Sequence, residues 1–129
     1  MGLWYVDTSA VAKLLVRESE TAALRRFLVG VRTVSSYLLV TELGRFAKAA
    51  GIGEDEVDRT LDRIDLVVPS TDTFDTARRL PGVIRSLDAI HVATALEVKD
   101  DLAGVVAYDT RLIEAAEAAE LRVERPGAD

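Results

Sequence analysis

Apolar runs and segments with helical spacing alternate along the chain. Residues 3–6 and 103–107 are continuous apolar runs, without the period-two alternation of a half-exposed strand, so each is predicted to be a strand buried on both faces. Further short strands are predicted at 32–35, 66–68 and 121–123. Helical segments separate these strands. The pattern therefore predicts an α/β fold with a central parallel β-sheet flanked by helices.

Three of the predicted helices follow or contain an acidic residue that is considered below as a candidate for function. The first covers 10–17, after the Asp-Thr-Ser sequence at 7–9, whose side chains can cap it. The second, 37–50, places its apolar residues at helical spacing. The third, 87–99, is apolar on nearly every face, as a central buried helix is, and Ser86 is predicted to cap it.

The chain length of 129 residues fits one domain with a single core. We interpret residues 1–129 as one domain, in which about 125–129 form a frayed tail. The first apolar run stops at Asp7, too early for a secretory signal, and no stretch reaches the length of a membrane span. We therefore expect a cytoplasmic protein without a membrane partner.

Composition restricts the chemistry to carboxylates. There is no cysteine and one histidine, which excludes disulfides, thiolate metal sites and a ribonuclease that uses two histidines as acid and base. The 22 acidic residues outnumber the 16 basic ones and give a net charge of −6. Bulk charge therefore cannot hold nucleic acid, and contact with a polyanion needs a local basic patch or a bound cation.

Four acidic residues stand out by position. Asp7 and Asp109 each follow a predicted strand, where ligands bind in open parallel sheets. Asp88 lies in the first turn of the most buried helix. Glu42 borders the apolar face of its helix, where a carboxylate needs a partner, and Arg45 one turn on is a candidate for it. Taken singly, each acid also fits a structural role, as a helix cap, a favourable charge at a helix start or one half of an ion pair.

Convergence of these acids would require a cation, because like charges repel at short range. Oxygen ligands without histidine or cysteine favour Mg²⁺ or Mn²⁺. Each acid also has a basic residue within six positions: Lys13, Arg45, Arg85 and Arg111. These four are possible contacts for a phosphate backbone, although pairing with surface acids explains them equally well.

Four separated segments together resemble one known family. YVDTSAVAKLL, TELGRFAKA, SLDAIHVATAL and VVAYDTRL, in this order and spacing, resemble the PIN-domain ribonucleases, and more narrowly the VapC-type toxins of bacterial type II toxin–antitoxin pairs. The resemblance covers essentially the whole chain. It implies a parallel sheet flanked by helices, with an acidic cluster at the C-terminal edge of the sheet.

The resemblance also implies roles for individual residues. Asp7 and Asp88 would be the main metal ligands, and Glu42 and Asp109 would complete the shell or hold a second ion. Thr8 and Ser9 would contact these ligands without binding the metal themselves. His91 would pack in the core or contact a ligand, and would not act as a general base. The implied cofactor is Mg²⁺, with Mn²⁺ as a substitute.

The implied activity is hydrolysis of RNA phosphodiesters by metal-activated water. The implied partners are an RNA substrate, a small cognate antitoxin and a second copy of the chain in a homodimer. The alternative is a PIN-like module that binds RNA or protein without cutting it. Divalent-metal-dependent cleavage that is lost when Asp7 is changed would distinguish the two.

Overall fold

All five strands lie parallel in one sheet. In the computed structural model, which describes residues 2–128, the strands are β1 (Leu3–Val6), β2 (Arg32–Ser36), β3 (Asp65–Val67), β4 (Leu102–Val106) and β5 (Val123–Glu124). Their spatial order is β3-β2-β1-β4-β5. The predicted α/β fold with a parallel sheet is confirmed.

Seven α-helices connect the strands and cover the sheet. They are α1 (Thr8–Leu15), α2 (Thr21–Leu28), α3 (Leu38–Ala50), α4 (Glu54–Leu61), α5 (Thr71–Arg79), α6 (Ser86–Glu97) and α7 (Thr110–Ala118). A short 3₁₀ turn, Lys99–Asp101, leads into β4. Gly51 ends α3 in the left-handed region, with a φ of 76°, where glycine meets no steric penalty.

The strand order reverses direction next to β1. The chain moves from β1 outwards to β2 and β3, then returns to place β4 on the other side of β1. Tyr5 pairs with Val34 of β2 and with Val105 of β4. In open parallel sheets the ligand crevice lies at such a switch point, beyond the carboxyl ends of the strands. Asp7 follows β1 and Asp109 follows β4 closely, so both lie at this crevice.

Alternate residues of β1 enter two different cores. Trp4 and Val6 pack with residues of α1 to α4 on one face of the sheet. Tyr5 points to the other face, among residues of α6 and α7 such as Val92 and Leu112. Because side chains alternate along a strand, the single tyrosine of β1 is carried towards α6.

Three predicted helix starts differ from the structure, and the smallest difference is at α3, which begins at Leu38 rather than residue 37. The first helix begins at Thr8 rather than residue 10, since Asp7 itself is the N-cap and its side chain accepts from the Ala10 amide at 3.0 Å. The predicted cap at Ser86 is wrong. Arg85 is the N-cap of α6, and its carbonyl accepts from the Ala89 amide at 2.9 Å; among residues 2–128 no side-chain hydrogen bond caps this helix. The extended backbone at Arg85 therefore makes Ser86 the first helical residue.

The sequence predicts that residues 125–129 fray. In the structure the Tyr108 hydroxyl donates to the Pro126 carbonyl at 2.7 Å, and the Ala128 amide donates to the Arg125 carbonyl at 3.0 Å. The first contact holds Pro126 against the turn that follows β4, and the second lies within the tail itself, while Asp129 lies outside the described residues. Between residues 2 and 128, no helix is both long and apolar enough to cross a membrane.

Candidate active site

Asp7 is a buried carboxylate at the carboxyl end of β1. The residue is 4% exposed. The Ser9 hydroxyl lies 2.7 and 2.8 Å from its two oxygens, and the Ala10 amide donates to Oδ1. Burial raises the pKa of Asp7 to about 6, and the hydrogen bonds from Ser9 and Ala10 offset this only in part. Carrying a charge at Asp7 is therefore unfavourable for the protein alone.

Ser9 ties the turn after β1 to the turn after β4. Its oxygen accepts from the backbone amides of Tyr108, at 2.9 Å, and Asp109, at 3.2 Å. Asp109 is the N-cap of α7, where its Oδ1 accepts from the Arg111 amide at 2.9 Å. Asp7 and Asp109 are thus held at one end of the sheet, and the charge of Asp109 contributes to raising the pKa of Asp7.

Glu42 turns from α3 towards α1 and α6. Its Oε1 accepts from the Thr8 hydroxyl at 2.7 Å and lies 2.7 Å from His91 Nε2. Burial raises the pKa of Glu42, but the hydrogen bonds with His91 and Thr8 outweigh it, so the net pKa falls below its usual range.

Arg45, the candidate partner of Glu42 in the sequence, does not pair with it. Arg45 is exposed, and among residues 2–128 it makes no ion pair within 4.0 Å. The helix turns Arg45 outwards and Glu42 inwards, so the partners of this carboxylate come from other elements.

Tyr5 was missed by sequence reasoning because it lies inside an apolar run. In the structure its oxygen lies 2.6 Å from His91 Nδ1 and accepts from the Ser36 amide at 3.1 Å. Tyr5 and His91 are both buried, at 1% and 3% exposed. The available signal was the polar tip of Tyr5 in an otherwise apolar strand, together with the only histidine of the chain.

Asp88 lies one turn before His91 on α6. Its Oδ2 is buried and has no hydrogen-bond partner within the described part of the chain. Burial raises the pKa of Asp88, and the charge of Asp109 raises it further. A cavity of about 560 Å³ opens beside Asp88, between the start of α6 and α7. A buried carboxylate oxygen without a partner is costly, so this atom is suited to an external ligand.

Comparison with known proteins shows the family. Residues 4–118 match the family model for the PIN domain. The chain belongs to the PIN-domain family. Within it, the chain is a VapC-type ribonuclease: it is 39% identical over 132 residues to Ribonuclease VapC46 of Mycobacterium tuberculosis (strain ATCC 25618 / H37Rv), with 98% of this chain and 99% of that protein covered. It is 34% identical to Ribonuclease VapC47 of the CDC 1551 / Oshkosh strain, with 96% and 97% covered.

Solved structures agree on the fold of this PIN domain. A toxin–antitoxin complex from Klebsiella pneumoniae matches with a TM-score of 0.73 at 18% identity, covering 98% of both chains. VapC20 of Mycobacterium tuberculosis, a sarcin-ricin loop cleaving toxin, matches with a TM-score of 0.69 at 16% identity, covering 95% of this chain and 99% of that one.

The four candidate acidic residues lie at one end of the sheet without forming a closed metal cage: Asp7, Glu42, Asp88 and Asp109. Among residues 2–128, no three side chains of the His, Cys, Asp and Glu types are gathered closely enough to hold a metal ion. Mg²⁺ is usually bound through one or two carboxylates and keeps several waters, so an open arrangement fits it. The unpartnered oxygen of Asp88 and the unfavourable charge of Asp7 fit a cation as well. PIN ribonucleases are in general metal-dependent.

The four basic residues expected near the site occupy different environments. Lys13 lies 3.5 Å from Glu18 and 3.3 Å from Glu20, and its ammonium is 4.8 Å from the centre of the Tyr108 ring. Arg85 and Arg111 are exposed and line the cavity beside Asp88, whereas Arg45 is exposed on α3. Lys13 therefore already forms ion pairs with acidic residues of the protein, whereas within residues 2–128 the three arginines form none.

Proposed function

We propose that this PIN domain is a Mg²⁺-dependent endoribonuclease, with Mn²⁺ as a substitute, and the toxin of a type II toxin–antitoxin pair. The observation that carries the metal dependence is the buried, unpartnered Oδ2 of Asp88 at the same end of the sheet as the buried Asp7. Membership of the VapC-type ribonucleases supports RNA as the substrate.

Asp7 and Asp88 would hold the ion, and Glu42 and Asp109 would complete its shell or hold a second ion. When bound, a divalent ion lowers the pKa of water and neutralises charge on phosphoryl oxygens. The chain's own residues hold these carboxylates in place by hydrogen bonds. Ser9 and the Ala10 amide fix the Asp7 carboxylate, and Thr8 fixes the Glu42 carboxylate.

Arg85 and Arg111 would attract the RNA backbone to the cavity beside Asp88. Both are exposed on its rim, and an arginine presents a donor fork that matches phosphate oxygens. Arg45 would extend this basic edge on α3. Lys13 contributes less, because its ammonium is already paired with Glu18 and Glu20.

Cleavage of total cellular RNA, with mapping of product ends, tests the activity. We expect cutting with Mg²⁺ or Mn²⁺, none with chelator, and none by Asp7→Asn with either ion. Asp65→Asn is the matched control, since Asp65 is an exposed acid at the start of β3, at the opposite end of the sheet, where it pairs with Arg32. Full activity of a folded Asp7→Asn protein would contradict the metal-ligand role. Wild-type protein that binds RNA and leaves it intact would favour the non-catalytic module.

The partners would be a small antitoxin and a second copy of the chain. The VapC-type relatives support the antitoxin, and one structural neighbour is a toxin–antitoxin complex. Exposed apolar side chains on α5, on the segment that follows it and at the start of α6 support self-association: Phe74, Val83 and Leu87. An inhibitory product of a neighbouring gene should co-purify with the chain. Phe74→Glu should shift sedimentation from dimer to monomer, while Val29→Glu, at another exposed apolar residue, which follows α2, should not.

A further inference from the structure

A buried chain of hydrogen bonds joins the sheet to Glu42. It runs from the Ser36 amide to the Tyr5 hydroxyl at 3.1 Å, on to His91 Nδ1 at 2.6 Å, and from His91 Nε2 to Glu42 Oε1 at 2.7 Å. Tyr5 and His91 are almost fully buried. Polar groups in such a position need defined partners, so the direction of each proton matters.

The direction follows from the first member of the chain. A backbone amide can only donate, so the Tyr5 oxygen accepts from Ser36. The Tyr5 proton then requires an acceptor, and His91 Nδ1 lies within hydrogen-bond distance of the Tyr5 oxygen. With Nδ1 accepting, the ring proton lies on Nε2, which faces Glu42 Oε1.

The opposite tautomer would be unfavourable at both ends. It would place the lone pair of Nε2 against a carboxylate oxygen at 2.7 Å, and would leave the Tyr5 proton without that acceptor. Ser35 lies beside Tyr5, but within residues 2–128 its hydroxyl has no hydrogen-bond partner of acceptable geometry. The opposite tautomer would need the Tyr5 proton to turn towards Ser35, and this is the arrangement that competes with a hydrogen bond from Tyr5 to His91.

We propose that Tyr5 fixes His91 as the tautomer protonated on Nε2, and that His91 is thereby a positioning residue for Glu42. Thr8 donates to the same oxygen, Oε1, and in the described part of the chain no hydrogen bond reaches Oε2. Two donors thus hold one oxygen of Glu42 and leave the other for a cation. This role towards the ion rests on the proposed function, whereas the tautomer does not.

The tautomer can be read directly, because His91 is the only histidine. A long-range proton–nitrogen correlation spectrum of uniformly ¹⁵N-labelled protein, with any affinity tag removed, separates a protonated ring nitrogen from an unprotonated one. We expect a single form, with Nε2 protonated and Nδ1 unprotonated. A proton on Nδ1, or on both nitrogens, would overturn the proposal in the wild type without any variant.

Variants then test which group sets the tautomer. Tyr5→Phe should convert the spectrum to a mixture of tautomers. Tyr108→Phe is the matched control, since it also removes one tyrosine hydroxyl and its hydrogen bond, yet that hydroxyl reaches Pro126 and not His91. An unchanged Nε2-protonated spectrum in a folded Tyr5→Phe protein would show that Tyr5 does not set the tautomer.

Mn²⁺ affinity, measured by calorimetry, tests the effect on Glu42. Removing a residue that orients a metal ligand typically weakens binding about 10- to 100-fold, so we expect His91→Leu to fall in that range. His91→Gln should restore most of the affinity, because its amide can donate where Nε2 does. Equal affinities for wild type and a folded His91→Leu protein would overturn the positioning role while the nuclease stands. If the wild type binds no Mn²⁺, both the proposed function and the positioning of Glu42 for an ion are wrong. The nitrogen spectrum then tests the tautomer of His91 independently.

Discussion

Asp7 and Glu42 lie at the same end of the sheet, yet their pKa values shift in opposite directions. Asp7 is 4% exposed, and burial outweighs its hydrogen bonds from Ser9 and Ala10, which leaves its pKa at about 6. The Glu42 side chain is 25% exposed, and its hydrogen bonds with His91 and Thr8 outweigh burial, so its pKa is lowered. Position at the crevice does not by itself decide the cost of a charge. The balance between burial and the donors that face each carboxylate does.

The difference suggests a division of labour between the two carboxylates. The protein alone stabilises the charge of Glu42, and this carboxylate is in place before any ion arrives. The charge of Asp7 is unfavourable until something positive binds, and the charge of Asp109 adds to the effect. A bound cation would therefore relieve an unfavourable charge at Asp7, whereas the charge of Glu42 is already stabilised by the protein.

His91→Ala should have the largest effect on stability, because it removes the hydrogen bond from His91 to Glu42 and opens a cavity on the side of the sheet that α6 covers. The variant loses a buried ring and leaves Tyr5 and Glu42 each short of one hydrogen bond. We expect the free energy of unfolding to fall by about 3 kcal/mol, measured by urea denaturation in chelator.

Val92→Ala is the matched control for this variant. Val92 is buried next to His91 on α6, and its truncation removes packing alone. It should cost about 1 to 2 kcal/mol. A His91→Ala protein as stable as the wild type would show that the hydrogen bonds to Tyr5 and Glu42 contribute nothing to the fold.

Asp7→Asn should stabilise the metal-free protein. Asparagine still caps α1, and the unfavourable buried charge is gone. The folded-state pKa of about 6 lies above the ordinary value of 3.8. The wild type is therefore penalised above pH 6, and the penalty disappears as the pH falls from 6 towards 4. We expect the free energy of unfolding to rise by about 2 kcal/mol at pH 7.5 in chelator. This is less than the whole pKa shift of Asp7 implies, because the asparagine amide is a weaker hydrogen-bond partner for the Ser9 hydroxyl than the carboxylate is.

Glu42→Gln should act in the opposite direction. The Glu42 charge is stabilised in the folded protein, so this contribution is present above the ordinary glutamate pKa and is lost as the pH falls through the lowered value. Glu42→Gln should therefore destabilise the protein at pH 7.5, in the same urea experiment. If both variants moved stability in the same direction, the contrast between the two carboxylates would be wrong.

Local rules explain why one part of the site was predictable from the sequence. Asp7 and Asp109 follow apolar strands and cap the next helices, and both features can be read from a few neighbouring residues. The buried character of α6 was predictable for the same reason, from its apolar faces. The helix starts shifted by one or two residues because they depend on where the backbone turns helical, as at Arg85, and polar residue types alone do not fix that point.

The partners of Glu42 were beyond local reasoning. Thr8 is 34 positions away, His91 is 49 positions from Glu42, and Tyr5 is 86 positions from His91. These contacts depend on which face of β1 meets α6, and that is settled only when the sheet is assembled. The nearest basic residue in the sequence, Arg45, was a reasonable partner by spacing and points to solvent in the fold.

Ser9→Ala should have an intermediate effect on the Asp7 side. The hydroxyl serves Asp7 as a donor and the amides of Tyr108 and Asp109 as an acceptor. Its loss should cost about 1 to 2 kcal/mol in the free energy of unfolding. It should also raise the pKa of Asp7 further, which a pH series of unfolding experiments would detect. Ser19→Ala, an exposed serine between α1 and α2, is the control.

Asp109→Asn should change the stability of the metal-free protein least. Asparagine caps a helix about as well as aspartate, so the hydrogen bond to the Arg111 amide survives, and we expect a change below about 0.5 kcal/mol. Asp109→Ala, which removes the cap, should cost about 1 kcal/mol. Both variants should also show a smaller stabilisation by Mn²⁺ than the wild type. An ion that binds only the folded state stabilises it by about 2.7 kcal/mol at a hundredfold excess over the dissociation constant, and the loss of a ligand at Asp109 should reduce this gain in both variants. If Asp109→Asn kept the full Mn²⁺-induced rise in melting temperature, Asp109 would be a helix cap whose charge only raises the pKa of its neighbours.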